Sequence, residues 1–459
     1  MARPVEQGDS AMKSKVLPSR RHRSFVSKRS FIRGIIIGIS ISILISILSF
    51  LGLLSGWENR AFDFMMWWQK EKRSSEIFLI EIDSQDYKNL FHAVSPLSRE
   101  ILARVIDKLS MAEPRAICLD ISLRDRTAED HYLVETLDRL KERDIPIVFA
   151  SSIQDVADDT NIKSVFSRDF PYACPDNVLF GATNFPISED GTIREMRLLR
   201  RTDDGRLYPF ISLSIIAGSE RIPWSAFQEE LGRASGSTSL ESKVPQALQD
   251  LIGTGLRHPR QKIYFIGDKT SFNVIKMSDI DRMPRESFQA GSIFAQKILL
   301  VGGTFSESKD FYRTPKGIMS GVEIIANSAE ALLSSKPIRP INYLLSLLFE
   351  FVIVLILSFM FLRFPLGKAT VISALSVVPL TIIGSQVAFA SMNRWLDFLP
   401  VAFAVVLHGE ASLIEHYRSM KKEIRDLRAR LSQIEQGPSE GVPSPRPAEP
   451  DLDPTKGGK

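Results

Sequence analysis

Cysteine and histidine are scarce in this chain, with two and six among 459 residues. A zinc-type site needs several such ligands close together, so no metal is expected. The common nucleotide and metalloprotease signatures are absent as well. There is no Gly-x-x-x-x-Gly-Lys-Ser/Thr loop, no His-Glu-x-x-His and no cysteine pair at zinc spacing. The Gly302-Gly303-Thr304 turn lacks the dinucleotide fingerprint. Nothing points to an enzyme, and no cofactor is expected. A large charge of one sign is missing too, since the net charge is only +4. What charge bias exists is local. Lys13, Lys15, Arg20, Arg21, Arg23, Lys28, Arg29 and Arg33 crowd the N-terminus against Glu6 and Asp9. Such a cluster beside an apolar run is the positive-inside signal of a cytoplasmic end. The competing reading, a nucleic-acid-binding tail, lacks interleaved aromatics, and no nucleic-acid partner is expected.

Long apolar runs are present and unevenly placed. One spans about Phe31–Leu54; three more occupy about Tyr343–Leu362, Ala369–Ala390 and Trp395–Leu413. Each is long enough to cross a hydrocarbon core of about 30 Å. The first is too long for the apolar core of a cleaved leader, so an uncleaved anchor is favoured. Arg363 and Lys368 flank the Phe364–Gly367 turn, and Lys421 and Lys422 follow the last run. These flanks put both chain ends in the cytoplasm and the segment between the first two spans outside. The expected order is a basic tail over 1–30, a span over 31–55, an outer domain over 56–341, spans over 342–362, 369–390 and 395–413, a coiled coil over 414–436 and a disordered tail over 437–459.

Within the outer domain, apolar strand-like runs alternate with amphipathic helical spacing. Ile77–Ile82, Ala116–Leu119, Ile145–Ala150, Val178–Thr183, Ile193–Arg200, Ile263–Ile266 and Ile298–Val301 read as strands. Pro96–Leu109, Asp130–Leu140 and Gly321–Leu333 read as helices. The pattern predicts an α/β fold with a mainly parallel, buried sheet. In such sheets ligands bind beyond the carboxyl ends of the strands. Asp83 and Asp120 each end a strand, Gly302 and Gly303 end a third, and Asp310 follows in the next loop. These five residues are the candidate ligand site, suited to a cation, a polyamine-like molecule or a hydroxylated one. Equally, a strand-end Asp can cap the next helix or fix a turn. Asp190-Gly191 reads as a tight turn. Cys118 and Cys174 are a candidate disulfide in an oxidising compartment, although Cys118 also suits a lone buried thiol.

Several short segments then recur in a familiar order. They are Asp63-Phe64, Ile80-Glu81-Ile82-Asp83, Pro96-Leu97-Ser98-Arg99, Ile117-Cys118-Leu119-Asp120, Asp190-Gly191-Thr192-Ile193-Arg194, Asp310 with Thr314-Pro315-Lys316-Gly317, and Gly321 through Asn327. Their order, with one span before and three after, resembles the CHASE type 2 domain, an extracytoplasmic sensor of bacterial signalling proteins. The resemblance covers about Trp57 to Leu413. It implies an inner-membrane sensor for an unknown extracytoplasmic ligand, normally placed upstream of a kinase or cyclase. Here the sequence after Leu413 is too short for such an output domain, so a cytoplasmic kinase, cyclase or regulator on a separate chain is the expected partner. The Ser122-Leu123-Arg124 stretch also departs from the family, which more often continues apolar or aromatic there.

Leu413, Tyr417, Met420, Ile424, Leu427, Leu431 and Ile434 repeat at alternating four- and three-residue steps. That is an a/d seam, expected to form a short parallel coiled coil in a homodimer. A basic helix lying on the bilayer is the alternative. Two rival functions remain beside the sensor. One is a scaffold subunit of an envelope or secretion complex. The other is a cation-dependent hydrolase using Asp83, Asp120 and Asp310.

Overall fold

The computed structural model describes residues 51–158, 161–167, 170–236, 242–289, 291–334, 338–340, 343–364, 366–392, 394–395 and 399–435, with scattered residues between 36 and 48. The basic tail over 1–30, most of the first apolar run and the tail over 437–459 lie outside the described residues. Two compact units emerge. The larger joins Leu48–Leu348 to Leu380–Leu399; the other holds Phe349–Pro379 and the chain from Pro400.

The larger unit begins with helix α1 (Ser55–Trp68) and is built on a seven-stranded sheet. Its main strands are β1 (Ile77–Ile82), β2 (Ala116–Asp120), β3 (Ile147–Asp158), β4 (Asn161–Ser167) and β5 (Val178–Ala182). Four short strands follow: β6 (Glu195–Met196), β7 (Leu199–Arg201), β8 (Leu207–Pro209) and β9 (Gln261–Lys262). Then come β10 (Asn273–Lys276), β11 (Ile298–Gly303), β12 (Phe311–Thr314) and β13 (Gly317–Ser320). The sheet order is β10-β1-β11-β2-β3, and β3 pairs with both β5 and β4. All these pairings are parallel except β3–β4. The expected mainly parallel α/β sheet is therefore present. Its central strands are mostly apolar, with Glu81 in β1 and Asp120 ending β2 as exceptions, and are buried on both faces, as a covered parallel sheet requires.

Helices fill the crossovers: α2 (Ser84–Asn89), α3 (Arg99–Ser110), α4 (Asp130–Glu142), α5 (Ile211–Ser219), α6 (Trp224–Ala234), α7 (Gln246–Arg257), α8 (Met277–Arg282) and α9 (Gly321–Leu333). Helices α5 and α9 pack side by side on one sheet face. Every residue of α5 is buried, which explains its apolar composition without a helical period.

Two expected strands take other forms. Ile193–Arg200 is split, with β6 pairing with β9 and β7 with β8. Ile263–Ile266 is buried but irregular: the Ile263 amide donates to the Arg194 carbonyl, the Ile266 carbonyl accepts from the Lys72 amide, and the Ile266 amide donates to a side chain, Asn327 Oδ1, at 2.9 Å. Asn327 Nδ2 donates in turn to the carbonyls of Gly267 and Glu323. Full burial makes these bonds necessary, because an unpaired amide there is costly. The Asp-Gly turn is as expected, with Gly191 at φ +76° and the Ser188 amide donating to the Thr192 carbonyl.

The candidate disulfide is not formed, and both cysteines are thiols. Cys118 is wholly buried in β2, between β11 and β3. Cys174 lies in the loop before β5, where its Sγ donates to the Tyr172 carbonyl. Burial, with Asp120 adding to it, pushes the Cys118 thiol up, so it is chemically inert in the fold.

Three further helices follow: α10 (Tyr343–Arg363), α11 (Leu366–Met392) and α12 (Leu399–Glu435). Among the described residues, one helix, Gly367–Ser391, is long and apolar enough to cross a membrane, and Phe351–Phe361 is a shorter apolar helical stretch. Phe389, near the end of α11, is buried in the larger unit. It meets Phe62 edge-on at 6.2 Å and stacks on Tyr264 at 5.9 Å.

Candidate functional site

Parallel strands deliver their carboxyl ends to one sheet edge, and a pocket of about 260 Å³ opens there. Asp120 reaches it from the end of β2, Thr183 and Asn184 from the end of β5, and Asp310 and Tyr312 from the segment leading through β12. Ile193, Ile324 and Ile325 supply apolar wall. The size suits a small organic molecule, with polar groups at one end and apolar contact at the other.

Asp310 sits where α9 begins. The Gly321 amide donates to the Asp310 carbonyl at 3.0 Å. A Cβ at Gly321 would come within 2.0 Å of Asp310 Oδ2, so only glycine permits this approach. Burial raises the Asp310 pKa, while hydrogen bonds from Tyr312 and the Gly321 backbone oppose the rise. Tyr312 is pushed up to about 12, first by burial and then by the Asp310 and Asp120 carboxylates. The pocket thus holds negative charge that water stabilises incompletely. A cationic group entering it would relieve that cost.

A raised folded-state pKa has a definite stability consequence. The stability Asp310 contributes is full below its unfolded value of about 3.9 and is lost as pH rises through its folded value. Asp310→Asn removes the titration. The variant should melt a few degrees above the parent at pH 7, and the gain should vanish near pH 3, as read by thermal melts across pH.

The other candidates are not brought here. Asp83 caps α2, its Oδ1 accepting from the Gln85 and Asp86 amides at 2.8 Å. Lys276 Nζ lies 2.7 Å from its other oxygen. Its pKa is lowered: burial acts upward, but Lys276 and the two amides outweigh it. Gly302 makes room for α9, since a Cβ there would lie 2.7 Å from Val322 Cβ. Gly303 does the same for the Phe305 ring. Among the described residues no cluster of metal-ligating side chains occurs.

Beside the pocket lies an ion-pair cluster that sequence spacing did not reveal. Arg194 is 2% exposed and carries two carboxylates. Its Nε and Nη2 donate to Asp63 at 2.7 and 2.6 Å, and its Nη1 and Nη2 donate to Asp190 at 2.8 and 2.6 Å. Asp63 belongs to α1, Asp190 to the Asp-Gly turn. The guanidinium fork suits two bidentate partners. Arg194 holds the Asp190 pKa well below the usual range. Lys262 packs nearby on α1, its Nζ standing 4.6 Å over the Phe62 ring. Burial lowers the Lys262 pKa, Glu195 opposing and Arg194 assisting. The pocket wall and this joint are continuous. Ile193 lines the pocket, and its amide donates to the carbonyl of Arg313, the neighbour of Tyr312.

Arg99, from the Pro-Leu-Ser-Arg segment, is also wholly buried. It donates to the Leu97 and Asp125 carbonyls and lies 3.5 Å from Asp130. The recurring segments thus hold buried polar residues that tie irregular chain to the scaffold.

The profile of the CHASE2 domain matches residues 40–363. The chain belongs to the CHASE2 domain family. CHASE2 domains are extracellular sensors, which is consistent with a sensor role for this chain, and its helix Gly367–Ser391 is long and apolar enough to cross a membrane. No curated protein and no solved structure matches it. In this CHASE2 domain Asp63 and the distant Asp190–Arg194 segment form one joint, while Asp120 and Asp310 share one pocket.

Proposed function

We propose that this protein is a multi-pass sensor of the bacterial inner membrane. Its CHASE2 domain faces the periplasm, and the Asp120–Asp310 pocket takes a small ligand with a cationic or hydroxyl-rich head. The observation that carries the reading is the path from pocket to membrane-proximal helix: Ile193 in the wall, Arg194 next to it, Asp63 on α1. A ligand acts only through unequal affinity for two states. Two arrangements of the Arg194 joint are the pair it would select between. Four spans, one before the domain and three after it, carry the change inward, and a cytoplasmic kinase, cyclase or regulator reads it.

The test is a thermal-shift screen of the purified full chain against polyamines, amino acids and sugars. Hits are retested in Asp310→Asn and Asp63→Asn. Asp310→Asn should abolish the shift. Asp63→Asn should keep the shift but lose any ligand-dependent change in distance between spin labels at position 432 of paired chains. Hits that bind Asp310→Asn equally well would sink the pocket assignment.

Helix α12 runs without a break for 37 residues, about 55 Å. In the single chain Leu413, Tyr417, Met420, Ile424, Leu427 and Leu431 are all exposed; the Ile434 side chain lies outside the described residues. Covering this seam with a second copy forms the coiled coil of a homodimer. Leu427→Asp places a charge in the seam and should reduce dimer crosslinking at position 432 several-fold, leaving the melting of the CHASE2 domain unchanged.

A further inference from the structure

Helix α1 has two unlike long faces. Ala61, Phe62, Met65 and Met66 are buried in the domain, and Asp63 turns to Arg194. The remaining face is aromatic and open to solvent in this chain. Trp57 is 51% exposed, Phe64 39%, Trp67 73% and Trp68 54%. These residues fall on one stripe at helical spacing. They also touch one another, with Phe64 5.6 Å from Trp68 and 6.4 Å from Trp67. A monomeric soluble domain rarely leaves such a patch uncovered. Basic side chains rim it: Arg60 lies 5.3 Å over the Trp57 ring, and Lys70 and Arg73 are exposed just beyond the helix.

We infer that α1 lies on the outer surface of the membrane, with Trp57, Phe64, Trp67 and Trp68 seated among the lipid headgroups. Three observations choose lipid over a protein partner. The helix follows directly on the apolar run that ends near Leu54, so chain continuity brings it to the bilayer. Tryptophan is the side chain most at home at that boundary, its ring apolar and its N–H wet. Exposed Arg and Lys beside it meet lipid phosphates. The inference deepens the proposed function and rests on its membrane reading. The helix tied to the sensor pocket through Asp63 then has its adjoining aromatic face embedded in lipid, so a change at Arg194 is felt as a tilt or lift of an interfacial helix.

The test uses the full chain reconstituted into phosphatidylethanolamine–phosphatidylglycerol vesicles, with lipids brominated either high on the acyl chains or near their ends. Emission is compared between the parent and Trp67→Phe/Trp68→Phe. The component missing from the variant should be strongly quenched by bromine placed high, weakly by bromine placed deep, and little by aqueous acrylamide. Acrylamide quenching without bromine quenching overturns the inference, because the face then meets water. Protection from both quenchers overturns it too, because protein then covers the face. Carbonate-resistant flotation checks membrane insertion separately. A chain that inserts but gives either contrary pattern defeats this inference alone; a chain that does not insert defeats the membrane reading with it.

Discussion

Replacing Arg194 by alanine is expected to cost about 3 kcal/mol and to release α1 before the rest of the CHASE2 domain unfolds. Removing one partner of a buried ion pair typically costs about 3–5 kcal/mol, because the charge left behind has lost its counterion. The lower end applies here, since the Asp63 and Asp190 side chains are 31% and 52% exposed and can recover water. Arg194→Lys keeps the charge but cannot donate to two carboxylates in fork geometry, so it should lose roughly half as much. Hydrogen exchange of the full chain reads the effect locally. Amides of α1 should lose protection in Arg194→Ala while β1, β2 and β11 keep theirs. Equal protection of α1 in parent and variant would mean that packing of Phe62, Met65 and Met66 holds the helix without the joint. The same joint has a pH signature. The Asp190 pKa is depressed, so its contribution is present above the unfolded value of about 3.9 and is lost as pH falls through the folded one. Acid below that value should therefore destabilise the parent and have little further effect in Arg194→Ala.

The second large effect is expected at Gly181. This glycine lies in β5 beneath the first turn of α5, where a Cβ would stand 2.4 Å from the Ile211 Cα and 2.8 Å from its nitrogen. Both are backbone atoms, so no rotamer change relieves the clash and α5 must move off the sheet. Overpacking a core commonly costs about 1–3 kcal/mol, and a backbone obstacle belongs at the top of that range. For Gly181→Ala that corresponds to a loss of roughly 6–12 °C in Tm. Gly253 provides the opposite sign. It lies in α7, and a Cβ there meets only the end of the Arg257 side chain at 3.9 Å. Gly253→Ala should therefore stabilise by about 0.5–1 kcal/mol, by helix propensity alone. Melting curves for the two variants check both signs. Equal effects would contradict the close approach of α5 to β5.

The sheet was legible because its central strands are continuous apolar runs and its long helices keep a helical period. Gly321–Leu333 matches its expected bounds for that reason. Legibility failed where tertiary contact replaces local pattern. β10 is an edge strand with exposed Asn273 and Val274, so it shows little apolar signal. Ile263–Ile266 has the composition of a strand but its bonds go to scattered partners, the Arg194 and Lys72 backbone and the Asn327 side chain. The site was half legible. The strand-end rule found Asp120 and, with the following loop, Asp310. The same rule applied to Thr183-Asn184 after β5 would have found Asn184. It could not tell Asp120 from Asp83, because only the fold shows that Asp83 is occupied by α2 and Lys276. The Arg194 joint was hidden by distance. Asp63 lies 131 residues away, and no local pattern links the two.

The central claim is that the CHASE2 domain stands outside the membrane and the end of α12 inside it. Impermeant maleimide labelling of intact cells tests this directly. A Cys174→Ser background removes the half-buried thiol, and Cys118 is buried and unreactive. Ser287→Cys places a thiol on the exposed surface of the domain, and Ser432→Cys places one on α12. The account predicts that position 287 is labelled in intact cells and position 432 only after the membrane is opened. Labelling at 432 in intact cells, or at 287 only after opening, would contradict it.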